Sequence, residues 1–188
     1  MAEAETSCRH AQPAVEAVLD LLQAGPVDCA RVAKVTVKTY PVSVMFGRPP
    51  RAEHELYDRL MSTPWAVASA LVHGRYGFDN ILAPARDPRV ESLYPCIAFE
   101  VLPEYEKAYP RLFITRVEVR MADGSVRAGE CRMEYGMPAE DGPYSPRGTT
   151  TPPLDESGMR AKFFDLACRK LPHAEAAALL NEIFEASR

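Results

Sequence analysis

The chain has 188 residues, 26 of them acidic and 22 basic, for a formal net charge of −4. Hydrophobic residues make up 47% and charged residues 26%, which excludes a wholly disordered chain and is enough to build a buried core. The mildly acidic balance gives no electrostatic reason to expect nucleic acid as a partner, and no stretch approaches the roughly 18 apolar residues that cross a bilayer.

In chain order, Val15, Val18, Leu19 and Leu22 recur at helical spacing, with Pro13 suited to a first turn and Gly25-Pro26 as the stop. From Arg31 to Thr39 the period changes to two: Ala33, Val35 and Val37 alternate with Lys34, Thr36 and Lys38, a half-buried strand closed by Pro41. A turn at Gly47 to Pro50 leads to a short amphipathic helix over Glu53 to Leu60. Ser62-Thr63-Pro64 starts another, with Thr63 as the cap and Pro64 at the first position. Its body from Trp65 to His73 is nearly all apolar and small, so it is buried on most sides and wants a partner, and Gly74 ends it.

A short helix follows Asp87-Pro88, and Cys96 to Leu102 is a short apolar strand. Ile114 to Met121 alternates cleanly, Asp123-Gly124 is a hairpin turn, and Ser125 to Met133 returns as the antiparallel partner. Gly136 to Pro153, rich in proline and glycine, is a loop. Leu154 to Lys170 is a helix expected to bury Met159, Phe163 and Leu166; Pro172 to Ala186 is another, expected to bury Leu179, Leu180, Ile183 and Phe184. The fold class is α+β with a small antiparallel sheet and flanking and C-terminal helices. One domain is expected over 1–188: a helical segment at 1–24, sheet and helices at 31–135, a loop at 136–153 and closing helices at 154–188.

Five cysteines stand far apart with no CxxC pair, and the acidic start Met1-Ala2-Glu3-Ala4-Glu5 has no leader-like apolar run. Free thiols in the cytoplasm are therefore expected. His10, His54, His73 and His173 make no metal-ligand spacing, and there is no GxGxxG, GxxxxGK[ST] or GxSxG, so no metal or cofactor is expected. The densest polar cluster is Ser7-Cys8-Arg9-His10, just before a helix. Helix N-terminal amides favour anions there and Arg9 suits a carboxylate; the alternative is a loose terminus that merely caps the helix. Arg59, beside Asp58, and Arg147, in the loop, are weaker anion candidates; a surface ion pair and a solvated loop cation are the plain readings. Trp65 and Phe163 are packing residues, and Lys162 is a solvated neighbour of Phe163.

Several segments resemble the C-terminal half of the MmgE/PrpD family, which includes 2-methylcitrate dehydratase, cis-aconitate decarboxylase and iminodisuccinate epimerase. Ser7-Cys8-Arg9 with Pro13-Ala14-Val15-Glu16-Ala17 resembles K-P-Y-P-S-C-R-x-x-H-x-x-I-D-A, and Val32 to Val37 resembles I-x-x-V-x-V. Ser62 to Leu71 with Gly74 is similar to F-S-x-P-Y-A-V-A-x-A-L-x-x-G, and Asp123-Gly124 falls at V-x-V-x-x-x-D-G. Pro146-Arg147-Gly148, Pro153-Leu154 and Lys162-Phe163 keep the register of P-[RK]-G-x-P-x-N-P-L-S-x-x-E-L-x-x-K-F.

The resemblance implies a small α+β domain that normally meets a large helical domain, with the substrate in the cleft between. The family's lysine falls on Glu3, its histidine on Gln12 and its aspartate on Glu16. Catalytic residues are therefore unassigned here, and Cys8, Arg9 and His10 remain substrate-binding candidates. Two readings follow. The chain is the small-domain half of a lyase or isomerase acting on a polycarboxylate, completed by a separate helical chain; or it is a non-catalytic carboxylate-binding or interaction remnant; in either case a homo-oligomer is expected as well. An autonomous enzyme using Cys8 and His10 is a third, weaker alternative.

Overall fold

The computed structural model describes residues 7–50, 56–82, 87–134 and 156–186. The chain divides into two compact units, Ala4–Pro152 and a second made of Met1–Glu3 with Pro153–Arg188. Glu3, Arg147, His54 and the loop expected at 136–153 lie outside the described residues.

In the larger unit, helix α1 (Gln12–Leu22) precedes strand β1 (Val32–Thr39). Helices α2 (Pro41–Val44), α3 (Leu56–Leu60), α4 (Thr63–His73), α5 (Phe78–Leu82) and α6 (Pro88–Leu93) lead to β2 (Ile97–Val101). Helix α7 (Pro103–Ala108) and the hairpin β3 (Leu112–Met121) and β4 (Val126–Glu134) complete it. The four strands form one sheet in the order β2-β1-β3-β4. The α+β class holds, and the antiparallel expectation holds for β1 with β3 and for β3 with β4. It does not hold for β1 with β2, which pair in parallel from Val35↔Ile97 to Thr39↔Val101. The long helical crossover between them makes this possible, since parallel neighbours need such a connection.

One sheet face carries the core. Val35 and Val37 of β1 stand opposite Val119 and Val117 of β3, all fully buried, and Ala14, Val15, Ala17, Val18 and Leu21 of α1 pack on them. Ala33 is not part of this face: the register shifts between Val32 and Lys34, so Ala33 is exposed and Val32 packs against the core instead. A bulge of this kind flips the alternation that the sequence period promises.

Helix α1 lies unusually close to β4. Gly129 faces it, and a Cβ there would sit 2.1 Å from the Ala17 carbonyl oxygen and 2.7 Å from the Leu21 nitrogen. The Asp20 carboxylate also accepts from the Glu130 amide at 3.2 Å. Beyond the end of α1, the Arg127 guanidinium donates to the carbonyls of Leu21 and Pro26 at 2.7 Å each, and to that of Gly25. This places a cation on the Leu21 carbonyl at the helix C-terminus, where the dipole favours it, and on two carbonyls of the turn that follows.

In α4 the cap is Ser62 rather than Thr63: the Ser62 hydroxyl accepts from the Trp65 amide at 3.1 Å and donates to the Arg48 carbonyl at 2.7 Å. Pro64 therefore stands one position further in, and Gly74 closes the helix in the left-handed region at φ 67°. Every residue from Thr63 to Leu71 is buried within the chain, against α1, α3 and α6 among others. The partner this apolar helix wants is thus supplied by the chain itself.

The smaller unit contains α8 (Glu156–Ala167) and α9 (His173–Ala186). Phe164 stacks on His173 with centroids 4.7 Å apart, and Arg160 lies 4.2 Å over the Phe184 ring. Leu180 is buried as expected, but Met159, Leu166, Leu179 and Ile183 are exposed and Phe163, Phe164 and Phe184 only half-buried. Helical spacing identifies an apolar face without supplying what covers it, and these positions are therefore more exposed than their spacing predicts.

Candidate functional site

The residues just ahead of α1 lie at the end of the sheet where β1 finishes and β3 begins. The turn is held from several sides: the Cys8 amide donates to the Leu60 carbonyl at 2.9 Å, and the Ser43 hydroxyl donates to the His10 carbonyl at 3.1 Å. The Cys8 carbonyl accepts from the amides of Ala11 and Gln12, and the Ala11 carbonyl from those of Ala14 and Val15. Pro13 has no amide to offer. The first turn of α1 therefore presents no unsatisfied amides to an anion, contrary to the expectation from its position before a helix. The physical reason is that Ala11 is itself in the helical region (φ −88°, ψ −24°), so the preceding turn consumes the donors.

What remains for ligand recognition is side-chain chemistry. Arg9 donates to Gln12 Oε1 at 3.1 Å, and its guanidinium lies 5.8 Å from the Phe113 ring centroid. Gln12 is buried, and its other amide end donates to the Ser7 carbonyl at 3.3 Å. Gln12, which stands where the family pattern has histidine, thus serves as a bracket for Arg9. Cys8 is half-buried and packs against the main core.

His10 is enclosed by rings. It stacks on Phe46 with centroids 5.2 Å apart and planes 10° apart, and Phe113, Tyr40 and Tyr109 lie at 5.4, 5.9 and 6.2 Å. Tyr40 and Tyr109 stack on each other at 4.8 Å. His10 Nδ1 and the Tyr40 hydroxyl are hydrogen-bonded at 3.1 Å. Burial, aided by the neighbouring Arg9 charge, holds the His10 imidazole below its usual range. Burial pushes the Tyr40 phenol up, so it keeps its proton. Phe46 also lines an open cleft of about 340 Å³ together with Met45, Arg48, Pro49, Tyr57 and Asp58. Met45 and Tyr57 are well exposed there.

Of the predicted residues, Arg9 and His10 both lie against the Phe113 ring, and Cys8 packs against the main core. Arg59 is half-buried, with its guanidinium 5.5 Å over Trp65, which is core. Sequence reasoning missed Tyr40, Phe46, Arg48, Tyr109 and Phe113. Tyr40 immediately after a strand was the one available signal; the others are scattered aromatics or turn residues. Among the described residues no three His, Cys, Asp or Glu side chains gather as a metal site, and no helix is long and apolar enough to cross a membrane.

The four-stranded mixed sheet with its packed helices defines a small α+β domain. The chain belongs to the MmgE/PrpD family: residues 6–142 match the model of the MmgE/PrpD C-terminal domain. No curated protein matches it. The match takes in the Ser7-Cys8-Arg9 turn, β1, α4 and the β3–β4 hairpin, and ends ahead of the Pro146-Arg147-Gly148, Pro153-Leu154 and Lys162-Phe163 segments.

Proposed function

We propose that this chain is the small-domain half of a lyase or isomerase acting on a polycarboxylate, in which Arg9 and His10 hold one substrate carboxylate and a separate helical chain supplies the proton-transfer groups. The observation that carries this reading is the bracketed Arg9 beside the ring-enclosed His10, whose stacking partner Phe46 lines an open cleft. A guanidinium fixed by Gln12 is a ready partner for a carboxylate, because less side-chain freedom is lost when the ligand arrives. Dehydration, decarboxylation and epimerisation of such acids each need a base as well as cationic anchors. At the aligned positions this chain has Glu3 and Gln12. Losing a general acid or base typically costs 10² to 10⁴-fold, so the chain alone binds and does not turn over.

The test is native purification of the tagged chain from its own cell, with any stoichiometric partner identified by mass. A larger helical chain, and turnover of a 2-methylcitrate-like acid by the pair but not by either alone, is the expected result. Recovery of a lone homo-oligomer that binds a tricarboxylate without turnover would favour the second reading, a carboxylate-binding remnant, which the Gln12 bracket favours. A lone monomer with no affinity for tricarboxylates would remove both.

A further inference from the structure

The Tyr40 hydroxyl is buried in a residue with no solvent exposure, and His10 Nδ1 is its hydrogen-bond partner among the described residues. A hydroxyl carries one proton, and in this enclosure Nδ1 is the acceptor available to it. The alternative, Nδ1–H donating to the phenol oxygen, would leave a buried O–H without an acceptor, which is the costlier arrangement. Tyr40 therefore donates, Nδ1 is bare, and the proton of a neutral ring must lie on Nε2. Nε2 makes no hydrogen bond among the described residues, while the Phe46 stack fixes the ring plane and Ser43 fixes the backbone.

We propose that His10 serves this site as a neutral Nε2–H donor to a ligand carboxylate oxygen, with Tyr40 as the positioning residue that sets its tautomer. This rests on the carboxylate-binding reading of Arg9 given above. The division of labour is then clear: Arg9 brings the charge, and His10 brings a directed hydrogen bond that neither adds a second positive charge nor gives up its proton. Among the described residues packed round the ring, Arg9 is the charged one; Tyr40, Tyr109, Phe46 and Phe113 are neutral.

Long-range proton–nitrogen NMR of the full ¹⁵N-labelled chain reads the tautomer directly, without ligand or turnover. Near pH 7 the His10 Nδ1 is expected as a bare nitrogen and Nε2 as a protonated one. Tyr40→Phe, which keeps the ring, is expected to reduce the tautomer ratio roughly tenfold, one ordinary hydrogen bond's worth. Addition of propane-1,2,3-tricarboxylate should then shift Nε2–H, and Arg9→Gln should abolish the shift. A protonated Nδ1, or an imidazolium at pH 7, overturns the proposal while leaving Arg9-dependent binding to be seen on other resonances. Binding that depends on Arg9 but leaves Nε2 unmoved also overturns the donor role. The expected tautomer with no ligand effect on any resonance refutes the carboxylate reading, and the donor role with it.

Discussion

Replacing Gly129 with alanine adds one methyl group where the backbone of α1 lies against β4. The new Cβ would meet the Ala17 carbonyl oxygen at 2.1 Å and the Leu21 nitrogen at 2.7 Å. Both are backbone atoms, so no rotamer change clears them and the helix must retreat by roughly 1 Å to reach ordinary contact. A gap of about 0.5–1 Å forfeits a quarter to a half of each dispersion contact, and Ala14, Val15, Ala17, Val18 and Leu21 all rest on that face. Overpacking of this kind costs about 1–3 kcal/mol, and a backbone obstacle puts Gly129→Ala at the upper end, with only about 0.4–1 kcal/mol returned by the stiffer unfolded chain. A net loss of about 2 kcal/mol corresponds to a fall in Tm of roughly 4–8 °C for a chain of this size. Urea unfolding followed by circular dichroism measures it, with Val126→Ala on the exposed side of the same strand as the control. Adding Ala17→Gly should give no rescue, because the obstructing oxygen is backbone. A Gly129→Ala protein within about 0.5 kcal/mol of the parent, or one rescued by glycine at 17, would refute the close-approach reasoning.

Ser62→Ala removes the cap of α4 together with its bond to the Arg48 carbonyl, for an expected loss of about 1–2 kcal/mol in denaturant unfolding, whereas Thr63→Ala leaves the cap in place. Arg127→Met strips its partners from three carbonyls at the end of α1 and should cost about 2 kcal/mol by the same measurement; Arg127→Lys should recover only part, since an ammonium cannot span the fork. The pH dependence follows from His10, whose folded value lies below the ordinary 6.5. Between the two values the unfolded chain binds more protons, so stability rises with pH through that window and falls as pH drops below 6.5. His73 is shifted the same way, by burial, and so the contribution of His10 is read as the difference in slope between the parent and His10→Gln; equal slopes would count against it. Gln12→Ala frees Arg9 from its bracket and should weaken tricarboxylate binding about five- to tenfold by calorimetry, through lost side-chain ordering, with little change in α1 content by circular dichroism.

The hairpin was legible because Asp123-Gly124 is chemistry that serves a turn, and the flanking valines alternate without interruption. Helix α4 was legible for similar reasons, with a capping segment, a proline and a terminal glycine in sequence. The neighbour of β2 was not, because pairing across a crossover of more than fifty residues leaves no local trace. The bulge at Ala33 was equally hidden: strict alternation in sequence cannot announce one extra residue in the ladder. At the site, Arg9 and His10 could be picked out as charged and titratable residues before a helix. The ring enclosure could not, since Tyr40, Phe46, Tyr109 and Phe113 come from separate segments and each alone looks like core. The satisfied first turn of α1 depended on the conformation of Ala11, which no residue type at that position dictates.

The lock between α1 and β4 also has a consequence for chain growth. The carbonyl of Leu21 and the guanidinium that caps it are 106 residues apart in sequence. During synthesis at about 5–20 residues per second, the helix waits roughly 5–20 s before the strand that receives it has been made. Through that interval the face that α1 turns to β4 has no cover from that strand and meets solvent or whatever chaperone is at hand. Slowing translation after β1 should therefore raise nascent-chain aggregation, and α1 is the segment most in need of shelter.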